Sequence, residues 1–398
     1  MKEIKEKIKK LSAEFHEEMV QLRRVIHANP ELSFEEFETS ALISRFLEAN
    51  KIPCVTGIAQ TGVVGIIKGL NPDKNTIALR ADMDALPVTE LNQADYKSIN
   101  QGKMHACGHD VHVASLLGAS KILNHIKNEF QGTVKLIFQP SEERYPGGAK
   151  LMIQEGVLEN PAPSAIFGQH VYPELDEGKI GIRGGKYMAS TDEIFLTVKG
   201  KGGHAATPQR NIDPVLIAAH LIVALQQIVS RNANPVMPTV LSFGKVIADG
   251  QTNVLPDEVK LSGIMRTFDE NWRQEMKSRI TTMAQNLAVS MGGSCEVFID
   301  EGYPVLINDP ALTEKAMDFA TEYLGKENVV ELEMRTTAED FAYYAQRIPG
   351  CFYRLGVRNE KMGFISNLHS ATFDVDETCI KTGMGLMAWM AFKELMSK

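Results

Sequence analysis

Four short runs of this 398-residue chain carry residue types that do metal and hydrolytic chemistry. They are Arg80-Ala81-Asp82-Met83-Asp84, Met104-His105-Ala106-Cys107-Gly108-His109-Asp110, Gln139-Pro140-Ser141-Glu142-Glu143 and Gly168-Gln169-His170. Leu368-His369-Ser370, near the C-terminus, is a fifth candidate. Thiol, imidazole and carboxylate together form the donor set of a divalent transition metal. Adjacent carboxylates offer two jobs to two neighbours: one ligates a metal, and the other takes a proton from a water that the metal activates. Cys107 and His109 are two apart, so an extended segment turns both side chains to one face. Each run alone also has a plain structural explanation. The Asp pair can cap turns, the Glu pair can be a solvated turn, and Cys107 can be a buried thiol beside a helix-capping His109. His170 at a strand end can be hydrogen-bonded structure. The metal-site reading rests on their joint placement.

The elements that must position these runs are legible in the apolar spacing. Ile4, Ile8, Leu11, Phe15, Met19 and Leu22 recur at helical intervals. A second helix follows Asn29-Pro30, with Phe37, Leu42, Phe46 and Leu47 inward. Apolar, β-branched runs at 63–67, 77–81, 134–138 and 165–167 read as buried strands, with a helix at 113–126. This alternation predicts an α/β architecture, an open mixed sheet with helices on both faces. The polar runs then fall just past the strand ends, where ligands bind in such sheets. In the middle of the chain, strands at 193–199, 239–247, 259–268 and 295–299 alternate with helices at 214–229 and around Met276, Ile280, Met283, Leu287 and Met291. The order β-α-β-β-α-β is ferredoxin-like. Helix and strand patterns resume at 312–324, 329–332, 341–346 and 352–355, before a C-terminal helix. The expected organisation is a discontinuous α/β domain, 1–187 and 302–398, with an inserted ferredoxin-like domain, 188–301.

Composition excludes several classes. A net charge of −8 with no Lys/Arg cluster argues against nucleic-acid binding. No apolar run of spanning length is expected, and residues 1–10 alternate Lys and Glu rather than forming a signal peptide. A cytoplasmic protein without a membrane partner is the expectation. Five scattered cysteines, with no CxxC pair, argue against a disulfide framework and a zinc ribbon, and suit a reducing compartment. No dinucleotide, nucleoside-triphosphate or serine-hydrolase motif follows a strand.

The runs quoted above, extended to Leu79 through Pro87 and joined by Gly202-Gly203-His204-Ala205-Ala206-Thr207-Pro208, resemble the di-metal amidohydrolases. This is the family of aminoacylase, hippurate hydrolase and auxin-conjugate hydrolases, related to carboxypeptidase G2. The likeness runs from about Leu22 to the C-terminus and includes the inserted domain. It implies that Cys107, His109, Glu143, His170 and His369 ligate two divalent metals (Zn, Mn, Co or Ni), with Cys107 as a bridging thiolate. Glu142 becomes the general base. Asp84 becomes the residue that orients a histidine ligand. The wider family has a His two residues before that Asp; here the position is Asp82, and His109 is expected to supply the imidazole. The inserted domain becomes a lid and dimerisation domain. Within it, His204 reaches the partner's centre to stabilise an oxyanion, Asn253 is a further donor on that side, and Arg266 holds the substrate carboxylate. His105, His112, Asp110 and Glu339 are expected to support the site, and His16, His27, His125 and His220 to be surface or helix residues.

The implied activity is hydrolysis of the amide of an N-acyl amino acid by direct attack of water, releasing a carboxylate and a free amino acid. A metallo-carboxypeptidase or dipeptidase with the same centre is the alternative. A non-catalytic binding protein has no need of Glu142, and a structural dimer has no need of turnover. The expected assembly is a homodimer or higher homo-oligomer.

Overall fold

The computed structural model describes residues 1–397. Contacts divide the chain into two compact units. One comprises Met1–Gly185, Ile307–Glu333 and the chain from Asp340 onward. The other comprises Lys186–Leu306 with Met334–Glu339.

The first unit is built on an eight-stranded mixed sheet. Its order is Cys54–Ile58, Gly62–Lys68, Thr133–Gln139, Thr76–Asp82, Ala165–Asp176, Gly350–Arg358, Ile180–Ile182 and Val329–Glu331. The four strands from Thr133–Gln139 to Gly350–Arg358 are mutually parallel, so their carboxyl ends share one edge. Every residue of Thr76–Asp82 and Thr133–Gln139 is buried, which requires cover on both faces. Helices Lys2–Ala28, His109–His125 and Thr378–Met396 pack on one another. The last two approach closely at Gly118, where a Cβ would lie 2.4 Å from Met384 Sδ.

The second unit is a four-stranded antiparallel sheet ordered Thr239–Ala248, Glu258–Thr267, Asp192–Lys199 and Ser294–Glu301. Helices Pro214–Gln227 and Glu270–Ser290 complete the ferredoxin-like order. Asp213 caps the first helix by accepting from the Val215 and Leu216 amides, and Asp269 caps the second through Trp272. Ile194, Leu196, Ile217, Leu221, Leu261 and Ile280 share the core. Arg273 donates to both Asp192 oxygens, at 2.8 and 2.7 Å, and so ties the second helix to the sheet.

Several sequence expectations need correction. Phe37 opens the helix Phe37–Ala49 and is 61% exposed; Ile43 and Leu47 are its buried apolar residues. The helix expected at 113–126 starts at His109, so the Cys107–His109 segment is not extended. Gly168-Gln169-His170 does not end a strand, because pairing with Gly350–Arg358 carries that strand on to Asp176. Among the described residues one helix, Pro214–Asn232, is long and apolar enough to cross a membrane. Its inner face, with Ile217, Leu221 and Leu225, packs into the second unit's core. Short strands such as Cys54–Ile58 were not foreseen, because an edge strand exposed on most of its length carries no apolar alternation.

Gly108 sets where the helix His109–His125 begins. Its φ of 79° is left-handed, and a Cβ there would lie 2.4 Å from Val171 Cγ2. Gly108→Ala is expected to cost about 1–3 kcal/mol through crowding and backbone strain. The check is the urea midpoint of the metal-free protein, which should fall without a change in slope. An unchanged midpoint means that the close approach is not needed.

Candidate metal centre

The centre is organised around Asp84, which is buried just beyond the strand Thr76–Asp82. One carboxylate oxygen takes the Glu142 amide at 3.0 Å and faces His109 Nδ1 at 3.2 Å. The other accepts the Glu143 amide at 2.9 Å and the Ser33 hydroxyl at 2.7 Å. Burial alone would raise this carboxyl, but the His109, Ser33 and backbone hydrogen bonds outweigh it and hold it below the usual carboxylate range. Asp84 therefore stays an acceptor, His109 Nδ1 carries the proton, and His109 Nε2 is turned the other way.

That Nε2 is buried and has no hydrogen-bond partner. It lies in a group with Cys107 Sγ and His170, whose donor atoms are all within 4.8 Å of one another. A second group of the same tightness joins Cys107, Glu143 and His369, and a third joins His109, Glu142 and Glu143. Cys107 is common to the first two. His170 Nδ1 donates to the Val171 carbonyl at 2.8 Å, which leaves the Nε2 lone pair turned to Cys107 Sγ, 3.3 Å away. His369 Nε2 is 3.2 Å from Glu143 Oε1. His369 is a non-glycine residue at φ 61°, and its amide donates to the Ala106 carbonyl at 2.8 Å.

The electrostatics of the cluster call for a cation. Burial would lower His109, yet Asp82, Asp84 and Glu143 raise it to about 10. Burial, with Glu143, Glu142 and Asp82 around it, pushes the Cys107 thiol well above its ordinary value. The same field that forbids a bare thiolate would favour a divalent ion, and Cys107 would hold it as the thiolate, its proton lost to solvent. An orphaned imidazole nitrogen, a shared sulfur and a surplus of carboxylate fit a pair of divalent metals.

Asp82, which stands two residues before Asp84, serves a neighbouring network. It accepts from His112 Nδ1 and, at 2.6 Å, from Arg80 Nη1. His112 Nε2 in turn accepts the Val171 amide at 2.8 Å, and so fixes the backbone beside His170. Arg80 continues to Gln139 at 2.9 Å and Asp340 at 2.8 Å, both buried. His27 belongs to a helix, as expected, but it is fully buried: its Nδ1 lies 2.8 Å from Asp110, which also accepts from Arg23 at 2.7 Å.

Ser33 and Glu36 were missed as contributors. The one sequence signal they carry, Ser33-Phe34-Glu35-Glu36 before a helix, reads as a capping box. The helix Phe37–Ala49 is capped instead by Glu31, whose carboxylate accepts the Glu38 and Thr39 amides at 3.0 and 2.9 Å, while Ser33 and Glu36 turn inward to Asp84 and Ser141.

The first unit thus brings together Asp84, Cys107, His109, Glu142, Glu143, His170 and His369. His204, Asn253 and Arg266 lie in the second unit. There His204 pairs with Val254 across a two-residue ladder, and the Ala205 amide donates to the Asn253 carbonyl at 3.0 Å, so His204 and Asn253 lie side by side at one exposed end of that ladder. Arg266 is near the end of the strand Glu258–Thr267, opposite Val240.

Comparison with known proteins covers nearly the whole chain. The chain is 42% identical over 388 residues to the IAA-amino acid hydrolase ILR1-like 4 of Arabidopsis thaliana, covering 96% of this chain and 87% of that protein. It is 40% identical over 391 residues to thermostable carboxypeptidase 2 of Saccharolobus solfataricus, covering 98% of each. Among solved structures, the Bacillus subtilis YXEP protein, described as a dinuclear metal-binding peptidase from the M20 family, superposes with a TM-score of 0.84. It is 35% identical, with 97% of this chain and 100% of that chain covered. The profile of peptidase family M20/M25/M40 matches residues 78–393, and with relatives of this identity and coverage the chain belongs to that family.

Proposed function

We propose that this protein is a metal-dependent amidohydrolase that cleaves N-acyl amino acids. The observation that carries the reading is Cys107: it is shared by two ligand groups, with Glu142 beside the ligand candidate Glu143. Similarity to a hydrolase named for IAA–amino acid conjugates supports an acyl–amino acid amide as the substrate class. Similarity to a carboxypeptidase favours a second reading, release of a C-terminal residue from a peptide by the same centre.

Cys107, His109, His170, Glu143 and His369 would hold two divalent metals; zinc, manganese, cobalt or nickel would suit this donor set. When bound, the metals lower the pKa of the attacking water and polarise the scissile carbonyl. Glu142 takes the proton from that water and delivers it to the departing amine nitrogen. Asp84 keeps the His109 tautomer and fixes the Glu142 and Glu143 amides. Water is the nucleophile, so no acyl-enzyme forms. His204 donates to the developing oxyanion, with Asn253 on the same side, and Arg266 pairs with the substrate carboxylate as a planar fork.

We further propose that the second unit is a lid and dimerisation domain, with His204 serving the partner's centre. The outer face of Pro214–Gln227 supports this: it carries no Asp, Glu, Lys or Arg and exposes Val215, Leu216 and Val223. Five unpaired cysteines suit a reducing compartment, and we place the protein in the cytoplasm.

Turnover of N-acetyl, N-benzoyl and indoleacetyl amino acids against dipeptides, with and without chelator, tests the function. Faster cleavage of the dipeptides selects the second reading, and activity that survives complete metal removal rejects both. Glu142 and Glu143 should fail differently. Glu142→Gln should keep its metal and lose about 10²–10⁴-fold in kcat, whereas Glu143→Ala should also lose metal affinity. Elemental analysis beside kcat separates them, and near-normal turnover of Glu142→Gln removes it as the base. For His204, inactive His204→Ala and Glu142→Ala dimers should complement after subunit exchange verified by mass labelling. About a quarter of wild-type activity should return, since about half the dimers then hold one complete centre. A mixture that exchanges and stays dead rules out action in trans.

A further inference from the structure

The residue before the two glutamates carries backbone strain that the ligand set does not account for. Ser141 has φ 49°, in the left-handed region that disfavours a side chain. Its amide donates to Glu36 Oε1 at 2.8 Å, and its carbonyl accepts the Gly148 amide at 2.9 Å. Glu36 is fully buried, and its other oxygen accepts the Thr61 hydroxyl at 2.7 Å. Burial and the nearby Asp84 charge raise the Glu36 carboxyl to about 7, so an ionisable group is kept where a neutral one would be easier to bury. Two buried carboxylates thus hold three successive amides: Glu36 takes that of Ser141, and Asp84 takes those of Glu142 and Glu143.

We propose that Glu36 is a positioning residue of the hydrolytic reaction, acting through the Ser141 amide to hold the left-handed turn that aims Glu142. The inference rests on Glu142 as the base. Asp84 alone fixes the two glutamate amides but leaves the turn before them free to relax toward ordinary backbone angles. A relaxed turn moves the Glu142 carboxylate, and a misplacement of about 1 Å costs on the order of 10²-fold in rate. Substrate affinity depends on other groups, so the loss falls on kcat.

The test measures kcat, KM, metal content and amide hydrogen exchange of the 140–143 peptide in the full-length protein. Glu36→Ala should lower kcat about 10²-fold, with KM within about threefold of wild type, metal content unchanged and exchange at 140–143 accelerated. Glu36→Gln should stay within about tenfold of wild type. Its amide oxygen can still accept from Ser141, while Thr61 reverses its hydroxyl to accept from the amide nitrogen. Glycine adopts the left-handed angle freely, so in a Ser141→Gly background Glu36→Ala should cost about tenfold or less. If Glu36→Ala does not fold, Glu36→Asp is the second variant. It keeps the charge but is too short to bridge Thr61 and Ser141, and should show the same kcat loss. Equal losses in the wild-type and Ser141→Gly backgrounds, wild-type kcat in both Glu36→Ala and Glu36→Asp, or loss of metal together with kcat would each overturn the proposal. Glu142→Gln in the same assay separates the two levels: if it turns over normally, the hydrolytic reading falls and this inference with it. If it is dead while the Glu36 variants are normal, only this inference falls.

Discussion

The rest of the centre depends on one buried carboxylate held ionised. Asp84 gathers hydrogen bonds from Ser33, the Glu142 and Glu143 amides and the His109 ring, drawn from separate stretches of chain. A carboxylate can accept that many only while it carries its charge, and it keeps the charge in a buried position only because they are all present. The arrangement is therefore cooperative: the groups that Asp84 positions are also the groups that keep it ionised. Asp82, two residues earlier, performs the parallel service for the backbone beside His170 through His112, with Arg80 as its counter-charge.

This pairing of roles explains what the sequence disclosed and what it concealed. Strands such as Thr76–Asp82 and Thr133–Gln139 are buried on both faces and announce themselves as continuous apolar runs, so the parallel core and the polar clusters at its edge could be read directly. The ferredoxin-like unit was legible because its helices are well capped and its strands alternate. Cys107 and His109 stood out by composition, but their local geometry did not, because Gly108 turns left-handed between them and starts a helix where an extended segment was expected. Ser33 and Glu36 were invisible for a different reason. Their spacing matches a helix cap, and only tertiary folding redirects both side chains into the centre. Hydrogen bonds between residues far apart in the chain leave no local pattern to read.

The two units solve the problem of buried charge in related ways. In the second, Asp192 meets Arg273 in a two-bond fork that fixes a helix to the sheet. In the first, Arg80 bridges Asp82 and Asp340, and Arg23 meets Asp110 beside His27. Each centres on an arginine, joined at Asp192 by Lys277 at 3.2 Å, in keeping with the need for several donors at fixed angles in a buried position. Such networks specify one arrangement more than they add stability, since desolvation offsets much of the attraction. For a site that must hold many polar side chains in register, a single well-defined arrangement is the useful property.

The strand Gly350–Arg358 lies in the interior of the first sheet, between Ala165–Asp176 and Ile180–Ile182, although a long stretch of sequence separates it from both. During synthesis on the ribosome that sheet must wait with an unfilled slot while the whole intervening segment emerges. The second unit can close on itself in that interval, because its four-stranded sheet and both helices all fall between Asp192 and Glu301. The nascent first unit meanwhile exposes two unpaired strand edges, the kind of surface that chaperones bind and that aggregation exploits. Asp340 and His369 come from the same late part of the chain. A chain truncated before them would display most of the ligands with neither this counter-charge for Arg80 nor the last imidazole. The order of translation thus leaves the cluster without His369, and Arg80 without Asp340, until the C-terminal part of the chain has been made.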